Sequence, residues 1–74
     1  MVTEFPVETI AKLLQTLSEP NRLRIIGVLT LECQSVSAIV EATGLSQPLV
    51  SHHLRVMRRQ GLVKGARRGS SIDY

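Results

Sequence analysis

Residues 35–61 constrain this chain most, because caps and breakers there leave room for two short helices and a tight turn between them. The hydroxyls of Ser35 and Ser37 suit the start of a helix whose apolar positions are Ile39 and Val40. Gly44, able to enter the left-handed region, ends it. Ser46 then caps a second helix, with Pro48 in its first turn, that runs to about Gln60 before Gly61 stops it. Two helices joined by a short turn containing glycine make a helix-turn-helix. On a wheel of 3.6 residues per turn with Val50 at the origin, Leu54 falls at about 40° and Met57 at about 340°, which predicts a buried stripe.

The flanking segments add two helices and a hairpin. Ile10, Leu13, Leu14 and Leu17 stand at i, i+3, i+4 and i+7, with Val7 one turn earlier, predicting an amphipathic helix from about Val7 to Leu17. Its apolar positions spread over about 120°, enough to face the core alone or the core and a neighbour. Ser18-Glu19-Pro20 punctuates the chain and starts another helix through Leu23, Ile26 and Leu29, to about Leu31. Gly27 within it costs up to ~1 kcal/mol relative to Ala, so a close helix contact is expected there. After Gly61, Leu62-Val63 is expected to open a strand, Arg68-Gly69-Ser70 to turn, and Ser71 to Tyr74 to return. The expected fold class is mainly α with a small β-hairpin, in a single domain over 1–74. The helix-turn-helix occupies about 35–60 and the hairpin about 62–74.

With one Phe, one Tyr and no Trp in 74 residues, the core must come from Leu, Ile and Val. Charge is unevenly placed: residues 1–50 carry three cations against five carboxylates, residues 51–74 six cations against Asp73 alone. The C-terminal part therefore suits a polyanion and the N-terminal part does not. No run approaches the ~18 apolar residues of a membrane span, and the first residues lack the basic start of a secretory signal. A cytoplasmic protein without membrane association is expected. Cys33, the only cysteine, excludes a disulfide within the chain.

The basic charges coincide with the motif. Gln47, Pro48, Ser51, His52, Arg55 and Arg59 lie between about 60° and 200° on the wheel, opposite the apolar stripe. Short polar side chains at the N-terminal end, Ser46 included, can reach base edges, and the arginines toward the C-terminal end can meet phosphates. Lys64, Arg67 and Arg68 place further charge on the hairpin. Such a face also describes the exterior of any soluble helix. The packing spacing around Gly44 and the basic hairpin that follows favour an interface with double-stranded DNA.

Three strings carry a resemblance: Leu17 to Ile26 (LSEPNRLRII), Ala42 to Leu54 (ATGLSQPLVSHHL), and Gly61-Leu62-Val63. In this order and at these intervals the chain, from about Val7 to Tyr74, resembles the ArsR/SmtB family of bacterial transcriptional regulators. The resemblance implies a winged helix-turn-helix in which the helix after Ser46 enters the major groove and the hairpin, or wing, contacts the flanking backbone or minor groove. It also implies a homodimer on a palindromic operator, acting as a repressor. Where family members that sense arsenite or soft metals carry Cys-Val-Cys, this chain has Ser35-Val36-Ser37, and neutral hydroxyls are poor ligands for soft metals. No metal site and no cofactor are therefore expected. The family continues past the wing into a C-terminal helix that helps form the dimer; this chain ends before it, as a piece of a longer protein or as a minimal form.

Other residues support less. Cys33 is expected to be a small buried hydrophobe, since no basic neighbour from Gly27 to Ser37 would activate it; a redox- or metal-responsive role is the alternative. His52 and His53 stand ~100° apart and cannot chelate one ion together; His53 is expected to pack, partly buried, beside Met57. Nothing pairs a nucleophile with a positioned base, so an enzyme is not expected. The competing function is a winged-helix module that binds another protein.

Overall fold

The computed structural model describes residues 4–30, 32–68 and 71–74. It contains α1 (Val7–Leu17), α2 (Pro20–Leu29), α3 (Val36–Thr43), α4 (Gln47–Arg59), β1 (Ala66–Arg68) and β2 (Ser71–Asp73). Three helices start as their sequences dictate, with side-chain oxygens occupying otherwise orphaned N–H groups. Glu19 accepts from the Arg22 N–H, Ser35 from that of Ala38 and Ser46 from that of Leu49. Ser37 lies inside α3, so of the two candidate serines Ser35 is the cap. Gly44 ends α3 at φ 74°, its N–H donating to the Val40 carbonyl at 2.9 Å.

The core joins α2, α3 and α4. Ile25, Ile39, Val50, Leu54 and Met57 have no exposed surface, and Ile26, Val36, Val40, Leu45, Leu62 and Tyr74 are among the half-buried residues packed around them. Helix α1 barely joins this core: Thr16 is its only buried residue, and the Thr16 hydroxyl donates to Gln60 Oε1 at 2.6 Å, tying α1 to the end of α4. Val7 and Leu14 remain 56% and 62% exposed.

Four expectations are corrected. Helix α2 ends at Leu29, where the Thr30 hydroxyl donates to the Gly27 carbonyl at 2.8 Å and its N–H to that of Ile26; Leu31 lies outside the described residues. Gly27 makes no close helix contact, since a Cβ placed there would meet nothing within 4 Å on this exposed flank. Leu62 and Val63 open no strand. The Leu62 N–H donates to the Met57 carbonyl and the Gly61 N–H to that of Arg58, a Schellman closure in which Gly61 takes φ 76° and Leu62 packs on the core. That closure delays the hairpin to Ala66. Cys33 is exposed rather than buried, in the connection ahead of the α3 cap, where no helix turns it inward.

The hairpin pairs Ala66 with Asp73, Arg67 with Ile72 and Arg68 with Ser71; of the three residues expected to turn, Arg68 instead ends β1 in the ladder, and residues 69 and 70 lie outside the described residues. The other edge of β2 is also paired. Gln34 and Tyr74 exchange backbone hydrogen bonds of 2.8 and 2.7 Å, and Ser35 bridges to Asp73. The wing is thereby fastened to the residue that caps α3.

Candidate nucleic-acid interface

Helix α4 carries two faces. Its apolar stripe, Val50, Leu54 and Met57, is fully buried, which fixes the roll of the helix and turns the opposite side to solvent. There Ser46, Gln47, Pro48, His52, Arg55 and Arg59 are exposed and Ser51 is half-buried. Gln47 Nε2 donates to Ser51 Oγ at 2.9 Å, an i to i+4 pair that holds two amphoteric groups together near the start of the helix. Pro48 at its first turn removes an N–H that would have lacked a helical partner.

Positive charge follows at the far end. Among the described residues the side chains of Arg55, Arg58 and Arg59 have no ion-pair or hydrogen-bond partner, so their guanidinium forks remain available to an outside anion. Lys64 is exposed in the connection after Gly61. The backbone places Arg67 and Arg68 on β1; their side chains lie outside the described ones. Arg58 is absent from the face assigned by sequence although its wheel position, at about 80°, lies between those of Gln47 and Ser51.

The second residue missed is Arg22. Its Nε donates to Nδ1 of the buried His53 at 3.0 Å, and its Nη1 to the Thr16 carbonyl at 3.3 Å, joining α1, α2 and α4 at one point. Because Nδ1 accepts, the ring proton of neutral His53 sits on Nε2, 3.9 Å from the Glu19 carboxylate and without a hydrogen-bond partner. Burial lowers the His53 pKa from its ordinary value, the Glu19 charge pulls it upward, and Arg22 and His52 add to the lowering. For Glu19, desolvation acts upward, but the backbone N–H donors of Arg22 and Asn21, with the charges of His53 and Arg22, hold the carboxyl below its usual range. This cluster sets how α4 sits on α2. It is a structural support of the polar face rather than part of it.

Residues 19–64 match the model of the arsR family of bacterial regulatory proteins, a span from the α2 cap into the connection before the wing. The chain belongs to the ArsR family. Over 65 residues, 88% of the chain and 54% of the relative, it is 46% identical to the transcriptional regulator NmtR of Mycobacterium tuberculosis. Over 68 residues, 92% of the chain and 50% of the relative, it is 34% identical to the transcriptional repressor SmtB of the same species. The chain thus spans about half the length of the curated relatives it matches. Among solved structures, it is similar to the homodimeric winged helix-turn-helix DNA-binding domain of Mb0332 from Mycobacterium bovis, with TM-score 0.85 and 29% identity over 92% of this chain and 63% of that one. The ArsR-family chain described here is accordingly a winged helix-turn-helix, and the relatives are regulators rather than enzymes. Among its described residues no three His, Cys, Asp or Glu side chains are grouped to hold a metal, and no helix is long and apolar enough to cross a membrane.

Proposed function

We propose that this domain binds double-stranded DNA in the cytoplasm as a homodimer and represses transcription from a palindromic operator. The observation that carries the reading is α4 itself: its buried stripe presents a polar, then basic, face without intramolecular ion pairs among the described residues, on a helix followed by a wing. Ser46, Gln47, Pro48, Ser51 and His52 would meet base edges at the N-terminal end, and Arg55, Arg59, Lys64, Arg67 and Arg68 the phosphates. Two-fold pairing through α1 is supported by its exposed Val7 and Leu14 and by the likeness to the Mb0332 domain, which is homodimeric. Two recognition helices about 34 Å apart would then enter successive major grooves on one side of the duplex.

The test is selection of bound duplexes from a random pool, followed by sedimentation on the selected site. A palindromic consensus with two chains per duplex is expected, with affinity collapsing when half-site spacing changes by half a turn. Tight binding of one chain to a lone half-site would remove the dimer but leave the DNA reading; no enrichment at all would remove both and favour a protein partner.

A further inference from the structure

Beside the recognition face, a cleft of about 390 Å³ opens between the first turn of α3, the middle of α4 and β2. Ser35, Ser37, Ser51, Arg55, Arg58 and Tyr74 supply its polar lining, completed by Val36 and Ile72, and no carboxylate side chain is among them. We propose that this cleft is an oxyanion site that takes a phosphate group.

Ser51, Arg55 and Arg58 stand at i, i+4 and i+7, so one edge of α4 delivers a hydroxyl and two guanidinium groups to the same cleft. Like charges at this spacing repel, and among the described residues neither guanidinium has a counter-ion. Arginine's planar fork offers paired N–H donors that match tetrahedral oxyanions, so an anion between the two would satisfy both. Opposite them lies the start of α3. There Ser35 Oγ already takes the Ala38 N–H and the Ser35 carbonyl that of Ile39, which leaves the Val36 and Ser37 N–H groups without a partner among the described residues. The positive end of α3 and the arginine pair therefore address one space from two sides. Its walls are fixed, because the Gln34 to Tyr74 pairing and the Ser35 to Asp73 bridge clamp β2 against the α3 cap.

The phosphate can come from two sources: a DNA backbone, which rests on the function proposed above, or a free phosphate, which does not. Since Ser51 and Arg55 also belong to the recognition face, a free phosphate held here would compete with DNA.

The test uses the chain and its Arg58→Gln and Ser37→Ala variants, both at surface positions, with amide spectra confirming that each is folded. In the first arm inorganic phosphate is titrated against chloride of equal ionic strength while the Val36 and Ser37 amides are followed. Saturable shifts with phosphate alone, weakened tenfold or more by Arg58→Gln, would establish a site for the free anion. In the second arm affinity for a fixed duplex is measured against salt. A slope of log K on log salt reduced by about 1 per chain in Arg58→Gln, with unchanged sequence preference, would establish a backbone phosphate in the cleft. If phosphate produces no saturable shift and neither variant changes DNA binding, while Arg55→Gln does, the proposal is overturned and the DNA reading stands. If the wild-type chain binds no duplex, the first arm alone decides: shifts support the site and their absence overturns it.

Discussion

Helices α1 and α4 have the same kind of sequence and opposite fates. Both are amphipathic with apolar residues at helical spacing, yet Val50, Leu54 and Met57 of α4 are fully buried while Val7 and Leu14 of α1 are more than half exposed. Periodicity states that a face needs covering; it does not say by what. In α4 the cover is α2 and α3, a short sequence distance away. In α1 the chain itself supplies Gln60 and the flank of α2, and the rest of the stripe is left open. The polar faces differ too: α4 gathers Arg55, Arg58 and Arg59 with no carboxylate in the helix, whereas α1 carries the single cation Lys12 with Glu8 one turn before it.

The largest effect should separate those polar faces. If each chain meets three or four phosphates through α4 and the wing, a dimer meets about 6–8, and log K should fall with log salt at a slope near −5 to −7. Raising salt from about 50 to 200 mM then weakens binding by roughly 10³-fold or more. Arg55→Gln should flatten the slope by about 1 per chain and Lys12→Gln should leave it unchanged, as read by fluorescence anisotropy across a salt series. A slope that responds equally to both would put the DNA elsewhere.

The apolar faces come next. Leu54→Ala removes a fully buried side chain and should cost about 2–5 kcal/mol in denaturant unfolding, a large fraction of what so small a domain has. Leu14→Ala should change monomer stability by no more than about 0.5 kcal/mol, because its side chain is already in water. Its effect should instead show in sedimentation, as weaker association between chains. Equal losses of monomer stability from the two would mean that α1 is packed on its own chain in solution.

How far this difference could be read from sequence follows from the range of the interactions. The Ser46 cap and the stripe on α4 act within four residues and were legible, while the caps of α2 and α3 were narrowed to Ser18 or Glu19 and to Ser35 or Ser37, with the structure choosing Glu19 and Ser35. The Gln34 to Tyr74 pairing spans more than half of the chain, and two residues of strand carry no period to detect. Leu62 looked like strand because it is apolar beside Val63, while the Schellman closure that claims it depends on how α4 ends. Arg22 and His53 are 31 positions apart, so their hydrogen bond has no local signature. Arg58 differs from these, since its wheel angle placed it on the face from the start.

A pH series tests the junction where α1, α2 and α4 meet. His53 has a lowered pKa in the fold, so between that value and the unfolded one near 6.5 the unfolded chain binds more protons. Stability should therefore be fully present above about pH 6.5 and fall as pH drops below it, by at most about 1.4 kcal/mol per unit. Protonation would also confront Arg22 Nε with an N–H in place of its acceptor at Nδ1. The Glu19 contribution, whose carboxyl is held low, is lost only on further acidification, below its ordinary value of 4.5. Urea melts between about pH 7.5 and 5 should show the decline, and His53→Asn should remove this part of the slope whatever it does to stability at neutral pH. A decline that persists in the variant would assign it to other groups.

The smallest effect concerns Gly27, on the exposed flank of α2, and asks whether the open side of the molecule extends beyond α1. A Cβ at this position meets nothing within 4 Å, and its backbone is ordinary helix, so Gly27→Ala brings no clash within the chain. Alanine loses less backbone freedom on folding than glycine and should stabilise the helix by about 0.5–1 kcal/mol. That gain should be independent of protein concentration if the flank faces water in the proposed dimer as it does in the single chain. If a second copy packs its backbone against this flank, the added methyl must instead oppose association. The gain would then appear only in dilute samples and shrink or reverse as concentration rises. Denaturant melts of the variant at two concentrations about a hundredfold apart distinguish these outcomes. A concentration-dependent loss would extend the unpartnered surface from α1 onto α2, and a uniform gain would confine it to α1.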